Sequence, residues 1–378
     1  MKMQGEYMKK AIRVLHVLHG MDCGGAENMI MNLYRNIDRE KVQFDFLVHT
    51  NKKCFFDDEI KSLGGNIYVV PYFNGINVIK YKKSIYNFFS QHRGEFVAVH
   101  GHVGSCAHIY LKLAKDAGIY TIAHSHSTKP TAITLKNILY RWFTFKVRRI
   151  ADYFFGCSRA SGCYRFGEKI VSGSNFSVLN NAIEVDKYTF DTTIRENVRK
   201  EYQLNDRLVI GNVGRFCIAK NHQYLLDIFN LIAQKLPDAR LLLVGDGALR
   251  KEIENKADAL GIRDKIIMTG VCSNVNELLQ AMDCFVFPSL YEGLPVTVIE
   301  AQAAGLQCFI SENITNEVCI SGNVEQIPIN VSPQVWADTV IGYFDSKMSR
   351  NDVSSEIANA GYDIKTTAAW LTKFYMNI

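Results

Sequence analysis

The chain alternates short apolar runs with helical patterns, and this alternation limits its fold more than any other feature. One repeat begins with the apolar run Ile12–Leu18, passes through a Gly-Gly pair and continues into a helical pattern over Glu27–Asn36. The pattern breaks near Asn180–Tyr188 and restarts with the apolar run Leu208–Val213. Strands that alternate with helices form parallel, doubly wound sheets. The sequence therefore predicts an α/β protein with two such sheets in two domains.

Further apolar runs have the length of buried strands. They are Phe44–Val48, Ile67–Val70, Phe96–Val99, Tyr120–Ala123, Tyr153–Phe155, Arg240–Val244, Ile266–Met268, Cys284–Phe287 and Gln307–Ile310. Apolar residues at helical spacing predict helices over Asn221–Lys235, Ala248–Leu260 and Ile364–Tyr375.

Length and composition agree with two globular domains. The chain has 378 residues, of which 48% are hydrophobic and 21% are charged, so wholesale disorder is excluded. The ten cysteines include no Cys-x-x-Cys pair, which argues against a disulfide framework or structural zinc and favours reduced thiols in the cytoplasm. We find neither an apolar run of about 18 residues, as a membrane span requires, nor a signal-peptide pattern.

The charge of the chain is unevenly divided. Residues 1–187 hold 26 basic and 15 acidic side chains, whereas residues 188–378 hold 17 basic and 23 acidic ones. The net charge of +5 thus combines a basic first half with an acidic second half. This asymmetry suggests that the two domains bind different partners.

A loop followed by a helix near residue 290 has the features of an anion-binding site. A predicted strand ends at Phe287, and the loop after it carries Glu292 and Gly293. Pro295 stands where the first helical turn begins, and the free N–H groups of such a turn can hold a diphosphate. Glu292 and Glu300 could accept hydrogen bonds from hydroxyl groups of the same ligand. The structural alternative is that Glu292 caps the helix and Glu300 is solvated.

A second strand-to-helix loop supplies cations. Gly214, Arg215 and Lys220 follow the predicted strand Leu208–Val213. Basic side chains in such a loop can converge on phosphate oxygens, although a lone loop arginine or lysine is more often solvated. Because the glutamate-bearing loop lies in the same half, we interpret these residues as the cation side of a nucleotide diphosphate site.

In the first half, Gly24 and Gly25 lie between the first strand and the first helix. Two glycines let a ligand approach the backbone and expose N–H donors, although a simple tight turn also explains them. The G-x-G-x-x-G spacing of a dinucleotide site is absent here, and the run Val244–Gly247 lacks the third glycine as well.

Nine of the ten histidines lie in the first half, and two His-x-His pairs follow predicted strands. The pairs are His100 with His102 and His124 with His126. Ligands bind at the carboxyl ends of strands in open α/β sheets, so both pairs are expected at that edge. Such pairs can bind zinc, but no further Asp or His follows closely enough to complete a set. We therefore expect hydrogen bonds to an acceptor or a phosphate, and no metal.

Basic and aromatic residues alternate from Lys129 to Arg149. An amphipathic helix with its aromatic residues packed inward explains this composition, and so does a surface that lies on an anionic membrane. Nucleic-acid binding uses a similar composition, but no accompanying motif supports it. The run Gly156–Ala160 lacks the second glycine of a Gly-x-Ser-x-Gly elbow, which argues against a serine hydrolase.

Together these motifs resemble glycosyltransferase family 4, whose members are retaining, nucleotide-sugar-dependent enzymes. The resemblance rests on the run Asn212–Lys220, paired with Glu292-x7-Glu300 behind an N-terminal Gly-Gly-Ala-Glu, and it extends over nearly the whole chain. Two details differ from the family pattern. Asn212 replaces a leading small residue, and Asn180, Ala182 and Glu184 replace residues of the interdomain Pro-Asn-Gly-x-Asp.

The resemblance implies the GT-B fold, in which two Rossmann-like doubly wound domains face a central cleft. It implies an acceptor-binding domain at 1–187, a donor-binding domain at 188–361, and a C-terminal helix at 362–378 that packs back on the first domain. The fold usually manages the leaving group without a metal, which agrees with the missing Asp-x-Asp motif. No cofactor is expected.

The resemblance also assigns roles to single residues. Arg215 and Lys220 would bind the donor diphosphate, and His126 would lie near the acceptor, with His124 as the alternative. Glu300 would bind the ribose, and Glu292 the transferred sugar. The catalytic group would comprise Arg215, Lys220, Glu292 and His126. The remaining donor-side positions would be Gly24, Gly25, Gly214, Val271, Gly293 and Leu294.

Similar bacterial enzymes build capsular or exopolysaccharide. The expected reaction moves a hexose from a nucleotide-diphosphate sugar, by family habit a UDP-sugar, to a glycan on a polyprenyl diphosphate. The basic first domain would meet the acceptor and the anionic inner face of the cell membrane, so a cytoplasmic or peripheral location is expected, without a nucleic-acid partner. Two alternatives remain: a nucleotide-sugar epimerase or hydrolase, and a non-catalytic nucleotide-sugar-binding subunit.

Overall fold

The computed structural model describes residues 10–22, 24–126, 145–345 and 350–378, and the chain divides into two compact units. The first unit comprises Met1–Ala182 and Ile364–Ile378, and the second comprises Ile183–Asp363. The division lies a few residues before the boundary expected after residue 187, because the segment up to Tyr188 belongs with the second unit. There the Gln280 side chain donates a hydrogen bond to the carbonyl oxygen of Tyr188 at 2.9 Å.

The first unit is built on a seven-stranded parallel sheet. Its strands are β1 (Ile12–Leu18), β2 (Val42–Val48), β3 (Ile67–Val69), β4 (Phe96–Gly101), β5 (Tyr120–Ser125), β6 (Tyr153–Gly156) and β7 (Phe176–Val178). They are hydrogen-bonded in the order β3-β2-β1-β4-β5-β6-β7, and every pair is parallel. The strand order reverses between β1 and β4, which is the switch point of this sheet.

Helices pack their apolar residues against this sheet. The described helices of the first unit are Gly25–Asn36, Asp57–Ser62, Val78–Gln91, Ala107–Asp116, Arg159–Phe166, Glu168–Val171 and Ile364–Met376. The C-terminal helix buries Leu371 and Tyr375 completely, in the core that also contains Val14 and Phe44. The ring of Tyr375 meets that of Phe44 edge-on, with centroids 5.9 Å apart. The end of the chain is therefore part of the first unit's core.

The second unit is built on a six-stranded parallel sheet with order β10-β9-β8-β11-β12-β13. Its strands are β8 (Val209–Val213), β9 (Arg240–Val244), β10 (Ile266–Gly270), β11 (Cys284–Phe287), β12 (Gln307–Ser311) and β13 (Val324–Ile327). Its helices are Val185–Tyr188, Thr192–Glu201, His222–Lys235, Arg250–Ala259, Val275–Ala281, Val296–Ala303, Pro333–Asp345 and Ser354–Ile357. The predicted pair of doubly wound parallel sheets is confirmed, and the second switch point lies between β8 and β11.

Two strands, β7 and β13, were not predicted from the sequence, and both lie at sheet edges. In each of them most residues are only partly buried or exposed. Polar residues interrupt both strands, so they lack the continuous apolar run by which the other strands, the edge strands β3 and β10 included, were identified.

Three observations on the described residues concern exclusions drawn from the sequence. All nine cysteines among them are free thiols. Ser158 caps the helix Arg159–Phe166, since its hydroxyl accepts a hydrogen bond from the backbone N–H of Ser161 at 3.1 Å. None of the described helices combines the length and apolar character needed to cross a bilayer. Residues 127–144, which hold most of the basic and aromatic stretch, lie outside the described residues.

Candidate active site

The switch point of the second sheet brings together the two loops singled out from the sequence. We call residues 214–221, after β8, the cation loop and residues 288–295, after β11, the glutamate loop. β8 and β11 are neighbouring parallel strands, so both loops leave the same carboxyl edge. The backbone N–H of Leu290 donates a hydrogen bond to the carbonyl oxygen of Ala219 at 2.8 Å, which holds the loops against each other.

Lys220 and Glu292 form an ion pair between the two loops. Lys220 Nζ lies 2.7 Å from Glu292 Oε1, and the two side chains are only 17% and 14% exposed. The same ammonium group lies 4.6 Å from the centroid of the Phe287 ring, at the end of β11. The residue before the helix is Pro295. Glu292 therefore pairs with a lysine instead of capping the helix.

Arg215 is the uncommitted cation of this edge. Its side chain is exposed, and within the part of the chain that the structure describes it has no hydrogen-bond or ion-pair partner. A free guanidinium group can bind a phosphate through two parallel hydrogen bonds. The cation loop thus presents one paired and one free positive charge.

Close backbone packing accounts for two glycines beside the cation loop. The N–H of Gly214 donates a hydrogen bond to the carbonyl oxygen of Val244 at 2.9 Å, and a Cβ on Gly214 would lie 3.3 Å from the Lys220 side chain. Gly245 has a φ of 136°, and a Cβ there would lie 2.2 Å from the carbonyl oxygen of Gly214. Only glycine at position 245 lets the end of β9 meet the cation loop this closely.

The helix Val296–Ala303 starts at the end of the glutamate loop and presents unpaired donors there. The backbone N–H groups of Gly293, Leu294 and Thr297 donate no hydrogen bond to any described residue. The buried hydroxyl groups of Ser289 and Thr297 have no hydrogen-bond partner among those residues either. Free N–H groups at a helix start bind anions, so this edge has the donors that a phosphate group requires.

Glu300 is hydrogen-bonded to another side chain rather than solvated. The hydroxyl group of Tyr188 donates a hydrogen bond to Glu300 Oε1 at 2.8 Å. Burial raises the pKa of Glu300, and the hydrogen bond from Tyr188 opposes that shift. Sequence analysis did not single out Tyr188, because no spacing rule connects it with a residue so far along the chain.

Val271 lies farther along the same edge. It follows Gly270, the last residue of β10, and its side chain is 86% exposed. Since β9 separates β10 from β8, Val271 is two strands away from the cation loop. The structure thus leaves an apolar side chain open to solvent at this distance from the switch point.

We expect the stability of the second unit at acid pH to depend on His222, which follows the cation loop. Burial lowers the pKa of His222 to about 4, and neither ring nitrogen has a partner among the described residues. Between about pH 6.5 and pH 4 the unfolded chain binds a proton there that the folded chain does not, so stability falls by about 3 kcal/mol as the pH falls through that range. In His222→Phe we expect this part of the pH dependence to vanish.

Native-state hydrogen exchange of second-unit amides at pH 7 and pH 4.5 measures this difference. The ring of His222 meets Phe216 edge-on at 4.7 Å, a contact that phenylalanine can keep. An equal loss of protection in the wild type and in His222→Phe would show that His222 is not the titrating group.

In the first unit, Gly24 immediately precedes the helix Gly25–Asn36. A Cβ on Gly24 would lie 2.2 Å from Glu27 Oε2, whereas a Cβ on Gly25 would meet nothing within 4 Å. The side-chain amide of Asn28 donates a hydrogen bond to the carbonyl oxygen of Gly24 at 2.8 Å. The Glu27 carboxylate is the end of a flexible side chain and can move aside, so packing does not require glycine at position 24, and Gly25 has open space beside it.

Five histidines lie at or just beyond the carboxyl ends of β1, β4 and β5, and we call them the histidine cluster. They are His16, His100, His102, His124 and His126. Ring nitrogens connect them in two series. His102 contacts His16 at 3.0 Å and His126 at 2.7 Å. His100 contacts His124 at 3.2 Å and the hydroxyl group of Tyr375 at 2.6 Å.

Burial keeps the histidine cluster neutral. It lowers the pKa of His16 to about 3, and together with the charge of Arg165 it lowers that of His126 to about 4. The pKa values of the other three members are also lowered, chiefly by burial. Each neutral ring has one donor and one acceptor nitrogen, so the cluster can relay hydrogen bonds in either direction.

No Asp or His closely follows either His-x-His pair in sequence, but the fold places a further histidine beside them. His16 is adjacent in the sheet, opposite His100 in the register of β1 and β4, and sequence spacing alone does not reveal it. Tyr375 was missed for the same reason, since it reaches the cluster from the last helix. The sequence did contain one indication of this cluster, since His16 lies near the end of a third predicted strand, Ile12–Leu18.

Comparison with known proteins places the chain among glycosyltransferases. The family described as "Glycosyl transferases group 1" matches residues 194–359. A protein of Bacillus subtilis (strain 168) named as a glycosyltransferase, EpsF, is 34% identical over 370 residues, which cover 96% of both chains. The UDP-Gal:alpha-D-GlcNAc-diphosphoundecaprenol alpha-1,3-galactosyltransferase of Escherichia coli is 24% identical and is covered to 82%, as is this chain.

Solved structures agree on the fold. The crystal structure of Anabaena Alr3699/HepE in complex with UDP matches with a TM-score of 0.80, over 97% of this chain and 100% of that one. Its sequence identity is 15%, so the likeness concerns the fold alone.

Proposed function

The chain belongs to the group 1 family of glycosyl transferases and is a glycosyltransferase of polysaccharide biosynthesis with the GT-B fold, and we propose that it is a retaining enzyme that uses a UDP-sugar and a lipid-linked glycan acceptor. The observation that carries the donor side is the ion pair of Lys220 with Glu292 at the second switch point, where the loop of Lys220 also carries the exposed Arg215. Ligands of open α/β sheets bind at that position.

The cations and the free N–H groups of this edge fit a diphosphate. Arg215 has no other partner among the described residues, and Lys220 can contact a phosphate oxygen while it remains paired with Glu292. The partial positive charge at the start of the helix Val296–Ala303 acts in the same direction. The second oxygen of Glu292 would then accept a hydrogen bond from a hydroxyl group of the sugar.

The same groups favour departure of the nucleotide. In the proposed reaction the bond between the anomeric carbon and the diphosphate oxygen breaks, and the acceptor hydroxyl oxygen forms the new bond on the same face. Its proton passes to the leaving diphosphate oxygen. Negative charge therefore grows on the diphosphate in the transition state, where Lys220 and Arg215 stabilise it more than in the bound donor.

The nucleoside would extend along the edge of the sheet away from the phosphates. Glu300, held by Tyr188, would accept hydrogen bonds from the ribose, and the exposed Val271 would contact the base. Uridine is proposed because the HepE neighbour was crystallised with UDP and the Escherichia coli relative is named for a UDP-sugar.

The acceptor is proposed to be carried by a polyprenyl diphosphate, as in the name of the Escherichia coli relative. The basic first half suits an anionic membrane, and at the described end of the basic stretch Phe145 is 50% exposed with Arg148 stacked 4.4 Å from its centroid. His126 or His124 would contact the hydroxyl group that attacks.

A transfer assay in vesicles tests donor, acceptor and membrane contact together. The full chain is given a panel of nucleotide sugars and diphosphoundecaprenol-linked GlcNAc in vesicles with or without anionic lipid. We expect transfer from one UDP-sugar, a product with the anomeric configuration of the donor by NMR, and faster transfer on anionic vesicles at low salt.

Charge-reversal variants, and assays from which the acceptor is left out, distinguish this proposal from its alternatives. Charge reversal at Lys146 and Arg149 should lower the rate on anionic vesicles, whereas reversal at Lys200 and Lys251 in the second unit should not. Turnover of the donor without any acceptor would identify an epimerase or hydrolase. Binding of the donor without transfer to any acceptor, membrane extract included, would identify a non-catalytic subunit.

A further inference from the structure

The histidine cluster of the first unit contains more ring nitrogens than contact with an acceptor hydroxyl requires. Two overlapping sets of three histidines bring one ring nitrogen from each member within 4.8 Å of the others. One set is His16, His100 and His102, and the other is His102, His124 and His126. We propose that the second set binds a divalent transition-metal ion such as Zn²⁺ or Co²⁺, at a site separate from the proposed donor chemistry.

The contact distances suit such an ion. Imidazole nitrogens lie about 2.0–2.1 Å from zinc, so two ligands of a tetrahedral ion are about 3.3 Å apart. The nitrogens of His102 and His126 are 2.7 Å apart, so a small rotation of either ring makes room for the ion. Two neutral imidazoles at such a distance share either a proton or a cation.

The third ligand has an available nitrogen, although its ring, stacked 4.0 Å from that of His126, has to turn to bind the same ion. His124 is 3% exposed, and its Nδ1 lies 3.2 Å from Nε2 of His100. This contact leaves Nε2 of His124, which is buried and has no hydrogen-bond partner among the described residues. An unpaired buried nitrogen beside two other imidazoles can serve as the third ligand of a metal ion.

The remaining members of the cluster supply the outer shell. His100 contacts the hydroxyl group of Tyr375 at 2.6 Å, which fixes the ring that holds His124. His16 contacts the far nitrogen of His102 at 3.0 Å. Metal-binding histidines almost always have a hydrogen bond at their second nitrogen, which sets the tautomer.

The type of ligand indicates which ions the site can bind, and the exposure of the ligands indicates which of the two sets binds the ion. Both sets consist of imidazoles, which suit zinc, cobalt, nickel and copper rather than magnesium or calcium. His102 and His126 are only partly buried, whereas His16 and His100 are each 1% exposed, so the second set is the more exposed of the two. Three histidine ligands leave a fourth position for water or a hydroxyl oxygen.

Titration of the tag-free full chain with Co²⁺ tests this site after treatment with a chelator. We expect one ion per chain and the intense visible absorption of tetrahedral Co²⁺, with competition by Zn²⁺ and none by Mg²⁺. His126→Gln, in which a partly exposed ligand is lost, should weaken binding by at least about tenfold. Tyr375→Phe should weaken it less and keep the stoichiometry of one.

His92→Gln is the matched control, because His92 belongs to the same unit but pairs with Glu95 outside the cluster. It should bind Co²⁺ like the wild type, and circular dichroism confirms that all variants are folded. The proposal is overturned by the absence of the tetrahedral spectrum, by octahedral binding that His126→Gln leaves unchanged, or by equal losses in His126→Gln and His92→Gln.

Discussion

We expect replacement of Lys220 by alanine to lower the turnover number of sugar transfer by about 100- to 1,000-fold, the usual cost of removing one group that stabilises transition-state charge. In the proposed reaction Lys220 has two partners. It would face the growing charge of the leaving diphosphate, and its ammonium group pairs with Glu292 at 2.7 Å. Steady-state kinetics with saturating donor and acceptor measure the effect.

Lys235→Ala is the control for this substitution. Lys235 belongs to the same unit and also forms a 2.7 Å ion pair, with Asp338, but both side chains are half exposed. Exposed pairs contribute little to stability, so this variant should keep the wild-type turnover number. Similar turnover numbers in Lys220→Ala and Lys235→Ala would show that Lys220 takes no part in the reaction.

Replacing Gly245 by alanine is expected to destabilise the second unit by about 3–5 kcal/mol, the sum of backbone strain and overpacking. Its φ of 136° disfavours any side chain, and a Cβ would lie 2.2 Å from the carbonyl oxygen of Gly214. Relief of that clash moves the cation loop away from β9, so donor affinity should fall together with the unfolding temperature. Differential scanning calorimetry, with and without UDP, measures both.

Gly342→Ala makes the same chemical change in open space. Gly342 lies inside the helix Pro333–Asp345, and a Cβ there meets no atom within 4 Å. Alanine is the better helix former, so this variant should gain about 0.5–1 kcal/mol. The account of Gly245 fails if Gly245→Ala melts at the wild-type temperature and binds UDP equally well.

Most of the fold could be predicted from the sequence, because buried parallel strands are continuous apolar runs. Ile12–Leu18, Arg240–Val244 and Cys284–Phe287 have the observed bounds. The edge strands Phe176–Val178 and Val324–Ile327 were not predicted, because polar residues interrupt them and few of their residues are buried. The edge strands β3 and β10 were predicted, because each contains an apolar run. Local apolarity thus identifies a strand only where its residues form such a run.

The candidate site was predictable where its residues follow strands and hidden where they meet through the fold. Arg215, Lys220 and Glu292 lie in strand-to-helix loops, which is a local signal. The bond between Tyr188 and Glu300 joins residues more than a hundred positions apart. The contact of Tyr375 with the histidine cluster spans a still longer separation in sequence. No periodic sequence pattern indicates such pairs.

Hydrogen–deuterium exchange of the full chain with and without UDP shows where the diphosphate binds. We expect slower exchange in peptides that cover residues 214–221 and 292–299, where N–H groups without partners among the described residues would gain phosphate oxygens. We expect no change over residues 324–345. Protection confined to other segments, or no protection at saturating UDP, would contradict the assignment of the donor site.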